Sequence, residues 1–187
     1  MNYLLYGADT YRSRKNLRKM IAGYAPRVRT GTVDVLRFDA AEDDLNKMHT
    51  AVSSGSLFGA KKMLVVERPF TVAGQFDITR RVLADAHKDA GMLLVVWDEI
   101  LDAEGKKRLK ETEKYFDKIQ EFAVLAGTRL QRWIKKEAAA RGAALSAADI
   151  VALSVQNGGD TWSIVQEIEK KVSPRSKTDG IFAGAWN

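Results

Sequence analysis

The sequence contains no cysteine, which excludes both a disulfide framework and thiolate metal sites. Histidine is nearly as scarce. His49 and His87 are the two present, each sits within a helix-like pattern, and no Ser-His-Asp arrangement or metal-ligand spacing accompanies them. No run approaches the roughly 18 apolar residues of a membrane span. The opening Met1-Asn2-Tyr3-Leu4-Leu5-Tyr6 lacks a basic leader region, and its apolar stretch is too short for a signal peptide. These absences set the expectation of a cytoplasmic protein with no membrane partner, no cofactor and no catalytic or metal residues.

What is present is enough apolar material for a core. The chain has 187 residues and is 45% hydrophobic, which suits one medium domain or two small ones. Its formal charge of +6 is unevenly placed. Within residues 1–30, Arg12, Arg14, Lys15, Arg18, Lys19, Arg27 and Arg29 face a single acid, Asp9, so the rest of the chain sums to neutral. A basic first helix can touch phosphate or an acidic partner, or simply be a solvated face.

The first two-thirds of the chain alternate between two periods. Residues 3–7 form a short apolar run that stops at glycine. Leu17, Met20, Ile21 and Tyr24 then recur at helical spacing. Residues 32–38 alternate as a strand does. Glu42, Asp43 and Asp44 are placed to open a helix whose stripe is Leu45, Met48, His49 and Val52, the macrodipole favouring acids in a first turn. Residues 63–66 read as a buried strand, 76–90 as a helix, and 92–97 as the most hydrophobic strand. Residues 103–116 read as a charged helix and 119–122 as a last strand. Five strands alternating with four helices imply an α/β domain over residues 1–126, with a mostly parallel, doubly wound sheet. Leu130, Trp133, Ile134 and Ala138 then mark a helix capped by Thr128 and ended by Gly142. Ser146 caps a second, bearing Ile150, Leu153 and Val155, and Trp162, Val165, Ile168 and Glu169 belong to a third. Residues 127–172 thus predict a three-helix bundle, and residues 173–187 a tail or the start of a further domain.

A nucleotide-binding version of such a domain carries G-x-x-x-x-G-K-[ST] after its first strand, whose amides cradle phosphate while the Lys neutralises it. Here that place holds Gly7-Ala8-Asp9-Thr10-Tyr11-Arg12-Ser13-Arg14-Lys15, with Arg12 where the second glycine belongs. No Gly-Lys-Ser or Gly-Lys-Thr occurs anywhere. Against this, Leu93-Leu94-Val95-Val96-Trp97-Asp98-Glu99 has the strand-then-acid form that positions Mg²⁺ in ATPases. Without a cradle, Asp98 and Glu99 are expected to cap the next helix or face solvent.

Between the second helix and third strand lies Ser53-Ser54-Gly55-Ser56-Leu57-Phe58-Gly59-Ala60-Lys61-Lys62. Helix neighbours point about 100° apart, so Leu57 and Phe58 cannot both lie deep in one core stripe. At a glycine-flanked helix end they can project together as an anchor, or they can fold back to plug the base of the sheet. Pattern alone leaves both readings open.

Several stretches resemble the bacterial DNA polymerase III delta subunit, a clamp-loader subunit. They are Tyr3-Leu4-Leu5-Tyr6-Gly7-Ala8-Asp9 with Tyr11 and Arg14, and Ser56-Leu57-Phe58-Gly59-Ala60-Lys61-Lys62 leading into Met63-Leu64-Val65-Val66. In the helical part they are Leu130-Gln131-Arg132-Trp133-Ile134, Gly158-Gly159-Asp160 and Gln166-Glu167-Ile168-Glu169-Lys170. The resemblance spans about residues 1–171. It implies an AAA+-like parallel five-stranded sheet without a P-loop, followed by a three-helix lid-type domain. It also implies a part in DNA replication within the polymerase III holoenzyme. The family's Leu-Phe pair enters a pocket on the ring-shaped sliding clamp (the beta subunit), which makes Leu57 and Phe58, with Ser56 beside them, the implied clamp contacts. The family's third, collar domain joins other loader subunits, and the present sequence stops where it would begin. Two rival readings remain: weak DNA or partner contact through Arg12, Arg14, Lys15, Arg18 and Lys19, with Arg129, Arg132, Lys135 and Lys136, and a divergent ATPase using Asp98 and Glu99.

Overall fold

A computed structural model describes residues 1–24, 34–53, 62–72, 74–89 and 91–172. The chain divides after Val124 into two compact units. The first runs β1 (Asn2–Tyr6), α1 (Thr10–Tyr24), β2 (Asp34–Asp39), α2 (Leu45–Ser53), β3 (Lys62–Glu67), α3 (Phe76–Lys88), β4 (Met92–Trp97), α4 (Ala103–Thr112) and β5 (Lys118–Glu121). A single 3₁₀ turn, Glu113–Tyr115, follows α4.

All strand pairs are parallel, in the order β2-β3-β4-β1-β5. The fold is therefore the α/β sheet flanked by helices that the alternating pattern predicts. Strand alternation sorts the core into two layers. Leu4, Leu64, Val66, Leu94 and Val96 face Met48 of α2 and Val82, Leu83 and Ala86 of α3. On the opposite face Leu5, Met63, Val65, Val95 and Trp97 meet Leu17 of α1, with Met20, Ile21 and Tyr24 packed at the edge. The helical stripe read along α1 is thus its sheet-facing side.

Two local expectations are corrected. Glu42, Asp43 and Asp44 precede α2 instead of forming its first turn. The Asp44 carboxylate accepts from the Asn46 amide (2.9 Å), so it closes a turn just outside the helix. The 103–116 helix ends at Thr112, whose hydroxyl donates back to the Arg108 carbonyl (2.9 Å) as the chain tightens into the 3₁₀ turn.

The second unit contains α5 (Gly127–Ala140), α6 (Ala147–Gln156) and α7 (Thr161–Lys171). Its core is Leu130, Ile134, Ala138, Ala143, Leu153, Ile164 and Ile168. Ser146 caps α6 through a reciprocal capping box with Asp149, and the Asp160 carboxylate caps α7. Thr128 is not the cap of α5: the helix begins two residues earlier than such a cap requires, with Ala126 before it and Gly127 at φ +53°. Trp162 and Val155 are solvent-facing (42% and 75% exposed), so neither adds to the bundle core.

Candidate functional site

In an open parallel sheet, ligands bind beyond the carboxyl ends of the strands, where the connections diverge to opposite sides. Here that point lies between β1 and β4, at the turn 7–9 that feeds α1. Most of the turn's amides are already in use. Gly7 N donates to the Glu99 carbonyl (3.0 Å), Asp9 N to the Phe122 carbonyl (2.9 Å) and Thr10 N to the Ala8 carbonyl (3.1 Å). Asp9 is buried and caps α1: its carboxylate accepts from the Arg12 amide and from the Arg12 guanidinium, both at 3.1 Å. Arg12 donates further to the Ala123 carbonyl (3.1 Å) and lies over the Phe122 ring.

The positive end of α1, the part of this fold suited to a phosphate, therefore holds the chain's own carboxylate. Gly7 has a different reason to be glycine. Its φ is +130°, and a Cβ there would stand 2.6 Å from the Phe122 carbonyl oxygen. It allows β1 to leave the sheet against the end of β5, a close backbone approach unrelated to ligand. Replacing Asp9 by Ala should cost about 2 kcal/mol, since it removes the cap and the carboxylate that pairs with Arg12. Asp9→Asn keeps a capping oxygen and should cost less than about 1 kcal/mol. Urea denaturation of the two variants measures the difference.

Next to this turn, the ends of β2, β3 and β4 carry a network of charges. Arg14 stacks on the Trp97 ring (3.8 Å to its centre) and donates to Glu67 (3.1 Å), which also meets Arg37 at 3.8 Å. Arg68 grips Asp39 with two nitrogens (2.9 and 2.5 Å) and reaches Glu42 at 3.7 Å. Arg68 holds a left-handed backbone, φ +58°, which is costly for a residue with a Cβ. Partial burial alone would raise the Asp39 carboxyl. The hydrogen bonds from Arg68 and the Ala41 amide, with the nearby charges of Arg68 and Arg14, overcome it and hold the carboxyl below its ordinary value. The pair thus contributes stability above the ordinary carboxylate range and loses it as pH falls through the depressed value. Arg68→Gly relieves the backbone strain but removes the pair. Asp39 is then expected to titrate nearer the ordinary value, as followed by carboxyl NMR.

Asp98 and Glu99 part company. Asp98 is fully buried; its carboxylate accepts from the Phe70 amide (2.8 Å), the Thr71 hydroxyl (3.0 Å) and the Glu99 amide (2.9 Å). Burial raises its carboxyl, with those hydrogen bonds opposing. It neither caps α4, which Asp102 does by accepting from the Gly105 amide (2.7 Å), nor faces solvent. Its work is to pin the turn after β3 to the end of β4. Glu99 is exposed. Among the described residues, no cluster of His, Asp or Glu is arranged to hold a metal ion. His49 lies 3.6 Å from Asp85, and His87 rests edge-on to Tyr115.

The basic residues of α1 divide as well. Arg12 and Arg14 are committed to the intramolecular pairs above, and Lys15 lies 5.9 Å from the Tyr11 ring centre. Arg18 and Lys19 are exposed, as are Arg129, Arg132, Lys135 and Lys136 of α5. Ser56, Leu57 and Phe58 lie outside the described residues, in the connection between Ser53 of α2 and Lys62 of β3; residues 173–187 are likewise outside them. Among the described residues, no helix is long and apolar enough to cross a membrane.

No family model and no curated sequence matches the chain. Solved structures do. A Bacillus subtilis DNA clamp loader delta protein superposes over 90% of this chain and 52% of its own, with a TM-score of 0.54 and 20% identity. The Thermotoga maritima RuvB Holliday junction branch migration motor covers 90% and 53%, at TM-score 0.58 and 12% identity. A DNA polymerase III gamma subunit-related protein, also from Thermotoga maritima, covers 90% and 53%, at TM-score 0.52 and 12% identity. The chain spans about half the length of the solved chains it matches. At these identities the likeness establishes the architecture: an AAA+-like fold, a parallel five-stranded α/β unit with a small helical unit after it.

Proposed function

We propose that the chain is a delta-like clamp-loader subunit that binds a ring-shaped sliding clamp through Leu57 and Phe58, with Ser56 beside them, and does not itself hydrolyse ATP. The observation that carries this reading is the Asp9 carboxylate and Arg12 guanidinium standing where a nucleotide phosphate would sit on α1. An AAA+-like unit that fills this position from its own side chains is suited to binding a partner, and any timing by ATP falls to other subunits. The likeness to a clamp loader delta protein supports the choice of partner. So does the Ser-Leu-Phe-Gly stretch that the sequence shares with that family. If a collar domain exists, the other subunits of the loader are partners as well, in the cytoplasm.

Binding opens a ring only by its differential affinity for the open and closed states. The pair would therefore dock on one clamp protomer and favour a shape that cannot close against its neighbour. A titration of the chain against a bacterial beta clamp tests the reading. Saturable binding, unchanged by ATP, is expected; absence of binding overturns it. DNA contact remains a second reading through the exposed Arg18 and Lys19, and it is compatible with the first.

A further inference from the structure

In the G-x-x-x-x-G-K-[ST] loop, backbone amides and the lysine hold phosphate, and the last hydroxyl holds Mg²⁺. Counted from Gly7, the last three positions are Arg12, Ser13 and Arg14. These residues do not fit Mg²⁺ and phosphate, because each is turned to a partner within the chain. Arg12 holds Asp9 and the Ala123 carbonyl. Ser13, at the lysine position, is fully buried. Its hydroxyl accepts from the Trp97 indole (2.9 Å) and donates to the Thr10 carbonyl (3.1 Å). Arg14, at the hydroxyl position, sets its guanidinium 3.1 Å from Glu67 and over the Trp97 ring.

The partner of Arg14 matters most. In a nucleotide site the hydroxyl at this position shares its Mg²⁺ with an acid that follows a hydrophobic strand. Glu67 ends β3, directly after the buried run Met63–Val66. Its side chain is 14% exposed, so its charge needs a cation close by. Asp98 is not available for that part, since its oxygens take the Phe70 and Glu99 amides and the Thr71 hydroxyl. Arg37 stands farther from Glu67, at 3.8 Å, and is the more exposed of the two arginines. Arg14 is therefore the main counter-cation, and a guanidinium stays charged and covalently tethered where a metal ion can dissociate.

We propose that Arg14 is a built-in substitute for the divalent cation of a nucleotide site, its guanidinium neutralising Glu67, the acid that would otherwise share a metal with position 14. The docking of α1 on β3 and β4 is accordingly independent of Mg²⁺ and nucleotide. This clasp is separate from the clamp-binding pair, and its loss would leave that assignment standing.

A chain carrying Asp9→Gly, Arg12→Gly, Ser13→Lys and Arg14→Ser restores the motif, and mant-ADP fluorescence compares it with the native chain. The restored chain is expected to bind at least about tenfold more tightly with Mg²⁺ than without. Adding Glu67→Gln should abolish that dependence, whereas adding Glu99→Gln, at an exposed position, should leave it. The native chain should show no saturable binding in either condition. Circular dichroism reports whether the restored chain folds, and a second measurement needs only the native background. Arg14→Met keeps an apolar stem over Trp97 and should lower the urea midpoint. Adding Glu67→Gln should recover part of the loss, because the carboxylate left without its cation is gone. A folded restored chain without Mg²⁺-dependent binding, dependence that survives Glu67→Gln, saturable binding by the native chain, or a deeper loss on adding Glu67→Gln to Arg14→Met would each overturn the proposal.

Discussion

Replacing Leu57 and Phe58 together by alanine is expected to weaken binding to the sliding clamp about 100-fold, equivalent to about 2.7 kcal/mol. Full burial of each side chain contributes roughly 1.5–3 kcal/mol, and the part already covered by neighbouring chain in the free protein reduces the sum. Aromatic and aliphatic anchors in the centre of an interface commonly dominate its energy, so single variants should each lose a large share and combine non-additively. Ser56→Ala should cost much less, because a hydroxyl at an interface rim retains water as an alternative partner. The same double variant should leave the urea midpoint of the chain nearly unchanged. That expectation follows from the proposal itself, in which the pair is free to dock on the clamp; among the described residues, the two sheet layers and the helical core draw on residues such as Leu4, Leu94, Ile134 and Ile168. Clamp affinity that stays as it was in the double variant would remove Leu57 and Phe58 from the interface, whatever the fold.

The sheet was legible in the sequence where burial on both faces writes a continuous apolar run. Met92–Trp97 is read residue for residue, because β4 lies between two strands and all its side chains meet core or helix. The Ser146 cap was legible too, since its partner Asp149 is three residues away. The site was less so, because its contacts are between residues distant in sequence. Asp98 looks like a metal-positioning acid until the turn 28 residues earlier brings the Phe70 amide to it. Arg14 reads as part of a basic surface until Glu67, 53 residues on, arrives at the end of β3. The missing second glycine was legible in the sequence. That Asp9 would occupy the vacated helix end was not, although an acid at that place in the turn is a sequence-level cap signal. Helix boundaries failed where no side chain marks them: Ala126 precedes α5 with no side-chain hydrogen bond to announce it, so Thr128 drew the assignment.

Trp97→Ala is expected to lower stability by about 4 kcal/mol, a loss of the size usual for emptying a large buried aromatic site. Trp97 ends β4 and is fully buried. It is bound to α1 in two ways: its indole N–H donates to the Ser13 hydroxyl at 2.9 Å, and the Arg14 guanidinium lies on its ring. Arg14 in turn holds Glu67 on β3, so one side chain ties the first helix to two strands at the edge where the fold's ligand crevice opens. Trp97→Phe keeps an aromatic face for Arg14 but loses the donor and part of the volume, and should cost about 2 kcal/mol. Ser13→Ala leaves the ring in place with its N–H unpaired, and should cost about 1 kcal/mol. If the three were measured by urea denaturation and Trp97→Phe proved as damaging as Trp97→Ala, the hydrogen bond rather than the packed ring would be what fixes α1. The order Ala, Phe, Ser13→Ala is the one that follows when burial of the ring contributes most, the hydrogen bond secures its orientation, and the stacked arginine carries that orientation to β3.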